Sequence, residues 1–566
     1  MTRVLELEAL RVDGLVRGER RTLVHECTLH VDAGEALGLV GESGSGKTLS
    51  TRAIAGLLPD GFSTEGVIRI DDEDIRSLTP RHLRDVRARR IGMVFQSPRA
   101  HLNSLRTIGD FMTEALTTVG GQPRKDAERV AVSLLDEVGI PDPTRRMRQR
   151  PGELSGGLLQ RVMIAATLAM DPRILLADEI TTALDVTTQE EVMAVIGDLR
   201  RHRDLAMLFI THDLALARAV CDRITVMKDG RTVETLPAAT IRADAQHPYT
   251  RQLLTAALGA DDIDRDGPTA PVEPLLVVEG LRKTFSVRRA EGVGRETFVA
   301  VDDVSFTLAA GTSLGIVGES GSGKSTTARI ICGLETADAG TVSVQGDSWA
   351  RPARTTRERR RRAQVAQMVF QDPYQSLDRR QTVRACLAEA VAVHRPKAGR
   401  AVLRDRVDEL MAAVRLAPEL AEMKPRSLSG GQRQRVAIAR ALAAEPRILV
   451  LDEAVSALDV TTQVEILTLL ERIRRDTGVA LLMISHDLTV VRRLCDHVVV
   501  LRGGRTEEQG AIADVLDRPT AEYTRTLLDS IPREGWQPQR RRTLRTAPLP
   551  TVATSTQRTI TTGEHR

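Results

Sequence analysis

A chain of 566 residues with 42% hydrophobic content has room for two or more domains, each with its own core, and excludes wholesale disorder. A net charge of +4 against 80 basic and 76 acidic residues, with aromatics at only 2%, supplies neither a basic surface nor stacking platforms, so no nucleic-acid partner is expected. The cysteines (Cys27, Cys221, Cys332, Cys386, Cys495) lack C-x-x-C spacing, which argues against zinc and against a disulfide framework and fits a reducing cytosol. The N-terminus lacks the apolar core of a signal peptide, and no run of about 18 apolar residues occurs that would span a membrane.

In chain order, the first informative stretch is the apolar ALGLV, then GESGSGKT at residues 41–48, then the helix-compatible TLSTRAIAGLL. A G-x-x-x-x-G-K-[ST] loop between a strand and a helix serves a polyphosphate, because backbone amides and the helix N-terminus converge on it. Gly41, Gly44 and Gly46 let the backbone curl, Ser43 lies within the turn, Lys47 reaches the terminal phosphates, and Thr48 faces Mg²⁺. Gln96 follows in MVFQSP. In LSGGLLQR, Ser155, Gly156 and Gly157 open a helix and present amides and a hydroxyl to an anion. The apolar ILLAD reads as a buried strand ending in Asp178, with Glu179 next. A strand-end Asp holds Mg²⁺ through water while the adjacent carboxylate orients the attacking water, which makes a hydrolase the expected chemistry. His212 ends another apolar strand in FITHD.

The turn-rich stretch GADDIDRDGPTAPVEP, residues 259–274, reads as a linker, and beyond it every landmark returns. GESGSGKS at 318–325 carries Gly318, Ser320, Gly321, Gly323, Lys324 and Ser325; MVFQDP carries Gln371; LSGGQRQR carries Ser429, Gly430 and Gly431; ILVLDE carries Asp452 and Glu453; MISHD carries His486. The offset is 275 for the glutamines and 274 for Ser155, Asp178 and His212, so a domain has been duplicated. Each unit alternates β-type apolar runs with amphipathic helices, the pattern of an α/β fold with a largely parallel sheet. The expected division is 1–258, linker 259–274, 275–532, and a disordered basic and Thr-rich tail at 533–566. The Arg-rich runs RHLRDVRARR and RTTRERRRRAQ recur at one place in both units and read as solvated helices.

The LSGG stretches, with the glycine loops and carboxylates around them, resemble the signature sequences of ATP-binding cassette (ABC) proteins, and the resemblance covers both units. It implies two tandem P-loop NTPase domains, each with a parallel sheet core and a helical subdomain, and ATP with Mg²⁺ as ligands. It also implies that the signature of one domain faces the P-loop of the other, so a tandem chain supplies both halves of each site at high effective concentration. By the same resemblance Glu179 and Glu453 act on water and His212 and His486 contact the γ-phosphate. Gln96 and Gln371 sense Mg²⁺ beside Asp178 and Asp452, and Asp185 and Asp459 link the sites. VFQDPYQSLD, VSALDVTTQ, HPYTRQLL and AEYTRTLL resemble the ATPases of the peptide and nickel importer group.

That resemblance implies a peripheral protein on the cytoplasmic face of the membrane, bound to two integral-membrane permease subunits that receive cargo from an extracytoplasmic solute-binding protein. A soluble tandem ATPase acting on ribosomes or DNA is the alternative from another class, disfavoured by the short linker and absent zinc spacing; an exporter ATPase is a third. Many members of the group carry a C-terminal cysteine cluster, and none follows Cys495, so no iron–sulfur cluster is expected. Ile180 and Ala454 replace the usual proline, and Leu158 replaces the usual Gln or Met. Phe285 stands where the family stacks an aromatic on adenine, whereas alignment puts Gly14 at that place in the first unit. The first site is therefore expected to bind ATP more weakly, and Tyr at Gly14 to restore some affinity.

Overall fold

The computed structural model describes residues 2–540, except 17, 183, 259–272, 289–293, 350–351 and 457. The first unit is built on one sheet whose parallel part runs Ile91–Val94, Ile174–Asp178, Ala206–Thr211, Ala36–Val40 and Arg223–Lys228. Ala36–Val40, Ile174–Asp178 and Ala206–Thr211 are buried at every position, as strands covered on both faces must be. Arg231–Pro237 returns antiparallel and bridges to the long hairpin Arg3–Val16 and Glu19–Asp32, which pairs in turn with Ser63–Ile70. The second unit repeats this as a six-stranded sheet centred on Ser313–Val317 and a separate four-stranded sheet around Pro274–Arg288.

Each unit holds two main apolar clusters. One lies between the antiparallel hairpin and the parallel sheet (Leu10, Val24, Leu39 and Ile54 in the first unit), and the other lies beneath the helices that follow Gln96 or Gln371. The Arg-rich helix Thr356–Val365 buries none of its side chains, and Pro80–Arg89 buries only Val86, which matches solvated helices.

The ends of the units differ from expectation. Residues 259–272 of the expected linker lie outside the described residues, while Pro274 already begins a strand. The tail does not start at 533, because 533–540 are ordered on the first unit. Trp536, 6% exposed, joins the cluster of Met193, Ile196 and Met207, and its Nε1 donates to the Asp529 carbonyl at 3.0 Å. Arg540 pairs with Asp198 at 2.6 Å and donates to the Glu137 carbonyl at 2.9 Å. One aromatic among Arg and Pro leaves composition tail-like, yet it supplies enough apolar surface to dock a short segment. Residues 541–566 lie outside the described residues.

Candidate functional site

Both glycine loops join a buried strand to a helix that starts at the lysine, Lys47–Ile54 and Lys324–Ile331. Gly46 and Gly323 sit at φ of 105° and 96°, a left-handed region where a side chain is strained. A Cβ on Gly41 would overlap the Met227 carbonyl oxygen, and one on Gly318 the Leu501 carbonyl oxygen, so strand packing fixes both as glycine. At Gly44 and Gly321 the same atom would enter open space, which is where the loops leave room for a ligand.

Lys47 and Lys324 are only 5% exposed, and each donates to its own loop carbonyls: Gly41 and Glu42 at 2.8 and 2.7 Å, Gly318 and Glu319 both at 2.8 Å. Burial depresses both ammonium pKa values, with nearby carboxylates only partly offsetting it. A buried ammonium with no carboxylate in hydrogen-bond contact among the described residues, at the N-terminus of a helix, fits a polyphosphate. The Ser322 hydroxyl, buried and without a partner among the described residues, adds one further unsatisfied group near it.

Adjacent parallel strands bring the carboxylates to these loops. Thr48 Oγ1 lies 3.2 Å from Asp178 Oδ1, and Ser325 Oγ lies 2.8 Å from Asp452 Oδ1. Glu179 and Glu453, both at φ 48°, turn off the strand ends in the left-handed conformation. Gln96 Nε2 donates to Glu179 Oε2 at 2.8 Å, and Gln371 Nε2 to Glu453 Oε2 at 2.6 Å. His212 Nδ1 stands 3.7 Å from Glu179 Oε1, and His486 Nδ1 3.5 Å from Glu453 Oε1.

Burial pulls both glutamates up, but the histidine contact and the P-loop lysine outweigh it, so each is held below the ordinary glutamate range. Burial likewise opposes charge on the histidines, and the glutamate contact overrides it and raises them. Asp178 and Asp452 are raised, first by burial and also by the charge of the adjacent glutamate. Among the described residues no three His, Cys, Asp or Glu side chains group to hold a metal by themselves. The hydroxyl, carboxylate and amide oxygens are hard donors of the kind Mg²⁺ takes when phosphates and water complete its shell.

The two units meet across these loops. Asp185 caps its own helix, accepting the Thr188 amide at 3.0 Å through Oδ1, and its Oδ2 accepts the Ser320 amide of the second loop at 3.3 Å. Thr187 Oγ1 donates to Glu319 Oε1 at 2.9 Å. The cleft lined by Phe285, Gly321, Lys324, Gln371 and Glu453 therefore also includes Thr182 and Asp185 of the first unit. Asp459 acts electrostatically on Lys47 in the reciprocal site. Ser155 and Ser429 each cap their own helix, accepting the Leu158 and Gln432 amides at 3.4 and 3.2 Å. Gln432 returns the bond to the Ser429 amide at 2.9 Å; Leu158 has no group with which to do so. Gly156, Gly157, Gly430 and Gly431 form the first turns of those helices, and no hydrogen bond joins either serine to the opposite glycine loop among the described residues.

The expectation about Gly14 is corrected. The pairing of Asp13 with Ser63 lays the Phe62 ring on Gly14, so a Cβ there would stand 2.5 Å from Phe62 Cε1. Tyr at position 14 has to displace that ring. Phe62 already fills the space, whereas in the second unit Phe285 remains 36% exposed with the Lys283 ammonium 5.2 Å from its ring centroid. Sequence reasoning also passed over the role of Thr187 and of the tyrosines in HPYTRQLL and AEYTRTLL. Glu42 N donates to Tyr249 Oη at 3.1 Å and Glu319 N to Tyr523 Oη at 3.2 Å. The only signal was that both tyrosines recur just past the last strand of a unit.

Comparison with known proteins agrees with this geometry. The family profile described as ABC transporter matches residues 24–182 and 301–456, and that of the oligopeptide/dipeptide transporter C-terminal region matches 508–556. The chain is 41% identical over 535 residues to the uncharacterized ABC transporter ATP-binding protein YejF of Escherichia coli K12, covering 93% of this chain and 99% of that one. It is 38% identical to the glutathione import ATP-binding protein GsiA of Pectobacterium atrosepticum, over 94% and 90% of the two chains. It is 39% identical to the peptidoglycan transport ATP-binding protein YejF of Agrobacterium fabrum, over 90% and 93%.

Proposed function

The chain belongs to the ABC transporter family, and from that membership we propose that it drives uptake of peptides or a related small solute by hydrolysing ATP at two sites. It is the ATPase subunit of an importer, with two cassettes in one polypeptide. The observation that carries the reading is the duplicated constellation of a glycine loop, a buried lysine, a hydroxyl–carboxylate pair and a Glu held between Gln and His. The peptide class rests on the matched C-terminal region and on what the relatives are named for transporting.

In this reading Lys47 and Lys324 bind the terminal phosphates, with Gly41, Ser43, Gly44, Gly46, Gly318, Ser320, Gly321 and Gly323 turning amides toward them. Thr48 with Asp178, and Ser325 with Asp452, would hold Mg²⁺ beside Gln96 and Gln371. When bound there, the ion would neutralise charge on the phosphate oxygens. Glu179 and Glu453, ionised because their pKa values are held down, orient and polarise the attacking water. His212 and His486 hold the glutamates and meet the terminal phosphate. Ser155–Gly157 and Ser429–Gly431 supply amides to the opposite site when the cassettes close, and Phe285 stacks on adenine in the second site.

Among the described residues no helix is long and apolar enough to cross a membrane, so the partners in this reading are two permease subunits that receive cargo from a solute-binding protein. The ATPase sits on the cytoplasmic face. Co-expression tests this: the chain becomes firmly membrane-bound only with two cognate permeases. Stable co-sedimentation with ribosomes and no permease binding would overturn it.

A further inference from the structure

The C-terminal helix of each cassette, Pro248–Leu258 and Glu522–Asp529, lies far from the phosphate-binding loop in sequence yet touches it in space. Tyr249 and Tyr523 are 3% and 4% exposed, and each hydroxyl accepts the amide of the second residue of its own loop, Glu42 N at 3.1 Å and Glu319 N at 3.2 Å. A cation covers each ring, Lys228 at 4.6 Å from the Tyr249 centroid and Arg502 at 4.8 Å from that of Tyr523. The helix starts are pinned as well: Glu234 accepts the Gln246 amide at 2.8 Å, and Glu508 accepts the Thr520 amide at 2.8 Å. Neither hydroxyl therefore reaches its loop by a mobile side chain. Each is set by the seat of the whole helix.

The same helices contact the opposite cassette. Ser530, directly after the second helix, donates to Glu190 Oε2 at 2.9 Å, and Glu190 is 2% exposed on the first cassette's helix Val186–Arg203. That helix also carries Thr187, which donates to the side chain of Glu319 at 2.9 Å. A closed circuit results: the second loop is held through its Glu319 amide by Tyr523 and through its Glu319 carboxylate by the first cassette, and the helix bearing Tyr523 is tied to the same element of that cassette. On the other side, Ala256 and Ala257 of the first C-terminal helix line a seam with Val460, Gln463 and Val464 of the second cassette's helix Val460–Thr477.

We propose that Tyr249 and Tyr523 are positioning residues of the two phosphate-binding loops, through which each C-terminal helix keeps its own loop in register with the opposite cassette. The proposal rests on reading those loops as ATP sites. With its Glu42 or Glu319 amide donated to the helix's tyrosine, each loop is held in one conformation, so freedom that would otherwise be lost on binding the ligand is already given up. ATP affinity then depends on how the C-terminal helix is seated between the cassettes.

The test uses the full chain in two backgrounds, Lys47→Ala, which leaves the second loop intact, and Lys324→Ala, which leaves the first. Tyr→Phe removes only the hydroxyl and keeps the ring, its burial and its cation. MgATP titration should show Lys47→Ala/Tyr523→Phe binding about threefold to tenfold more weakly than Lys47→Ala, the size of one part-buried hydrogen bond, with the thermal midpoint lowered by only about a few degrees. Lys47→Ala/Tyr249→Phe should bind as tightly as Lys47→Ala, and the Lys324→Ala background should show the mirror result. Equal affinities for Lys47→Ala and Lys47→Ala/Tyr523→Phe would overturn the proposal alone, as would equal losses from both tyrosines at one site. Failure of Lys47→Ala and of wild type to bind MgATP would remove the underlying site assignment as well.

Discussion

Replacing Trp536 by Ala should release residues 533–540 from the first cassette. The indole is 6% exposed and sits with Met193, Ile196 and Met207, so the truncation removes nearly a full buried aromatic, a change that costs about 3–5 kcal/mol in a packed site. The contacts that remain are at the surface or long: Arg540 with Asp198 and with the Glu137 carbonyl, Glu534 with Arg218 at 3.6 Å, and the Gln539 amide on Glu190 at 3.4 Å. Pairs of this exposed kind contribute about 0.2–1 kcal/mol each, too little together to keep the segment docked. Cleavage through the detached form follows its population, so trypsin should cut after Arg533 at least about a hundredfold faster in the variant while both cassettes stay folded. The chain has two tryptophans, Trp349 and Trp536, so Trp349→Phe isolates the second as a fluorophore. Its emission should be blue-shifted and shielded from acrylamide. Quenching like that of a free indole, together with wild-type cleavage at the variant's rate, would refute the docking argument.

The Cβ of Gly41→Ala or Gly318→Ala would overlap the carbonyl oxygen of Met227 or Leu501, so each loop must shift off its strand; ATP affinity at that site should fall more than about tenfold, read by titration in the single-site backgrounds, and ordinary affinity would show that the loop relaxes freely. In the Lys324→Ala background, Gly14→Tyr should weaken the first site or lower its thermal midpoint, because Phe62 occupies the space; Gly14→Tyr with Phe62→Ala should do less harm, and a gain from Gly14→Tyr alone would contradict the packing.

What was legible in the sequence is what local pattern dictates. ALGLV, the glycine loop and the following amphipathic run leave one local solution, and ILLAD and ILVLD announce buried strands, each ending in a carboxylate. The repeat offset carried each reading from one unit to the other. Registry between distant strands was not legible. Phe62 stands on Gly14 only because Asp13 pairs with Ser63, and a one-residue slip would have turned it elsewhere. The tyrosines of HPYTRQLL and AEYTRTLL were visible as residues, but their bond to the loops depends on where a helix about two hundred positions later is seated. Trp536 was hidden by averaging, since one indole decides docking while its neighbours set the composition.

Mg²⁺-dependent ATP turnover and retention by the full chain carrying Glu179→Gln and Glu453→Gln together test the two-site account most directly. Both carboxylates lie between a glutamine and a histidine beside the loops without touching the P-loop lysines, so they should act on water and leave binding intact. The account predicts ATP retained at both sites and turnover below about a tenth of wild type, a loss of more than ~1.4 kcal/mol in transition-state stabilisation. Turnover above that level, or loss of ATP binding in place of loss of turnover, would contradict it.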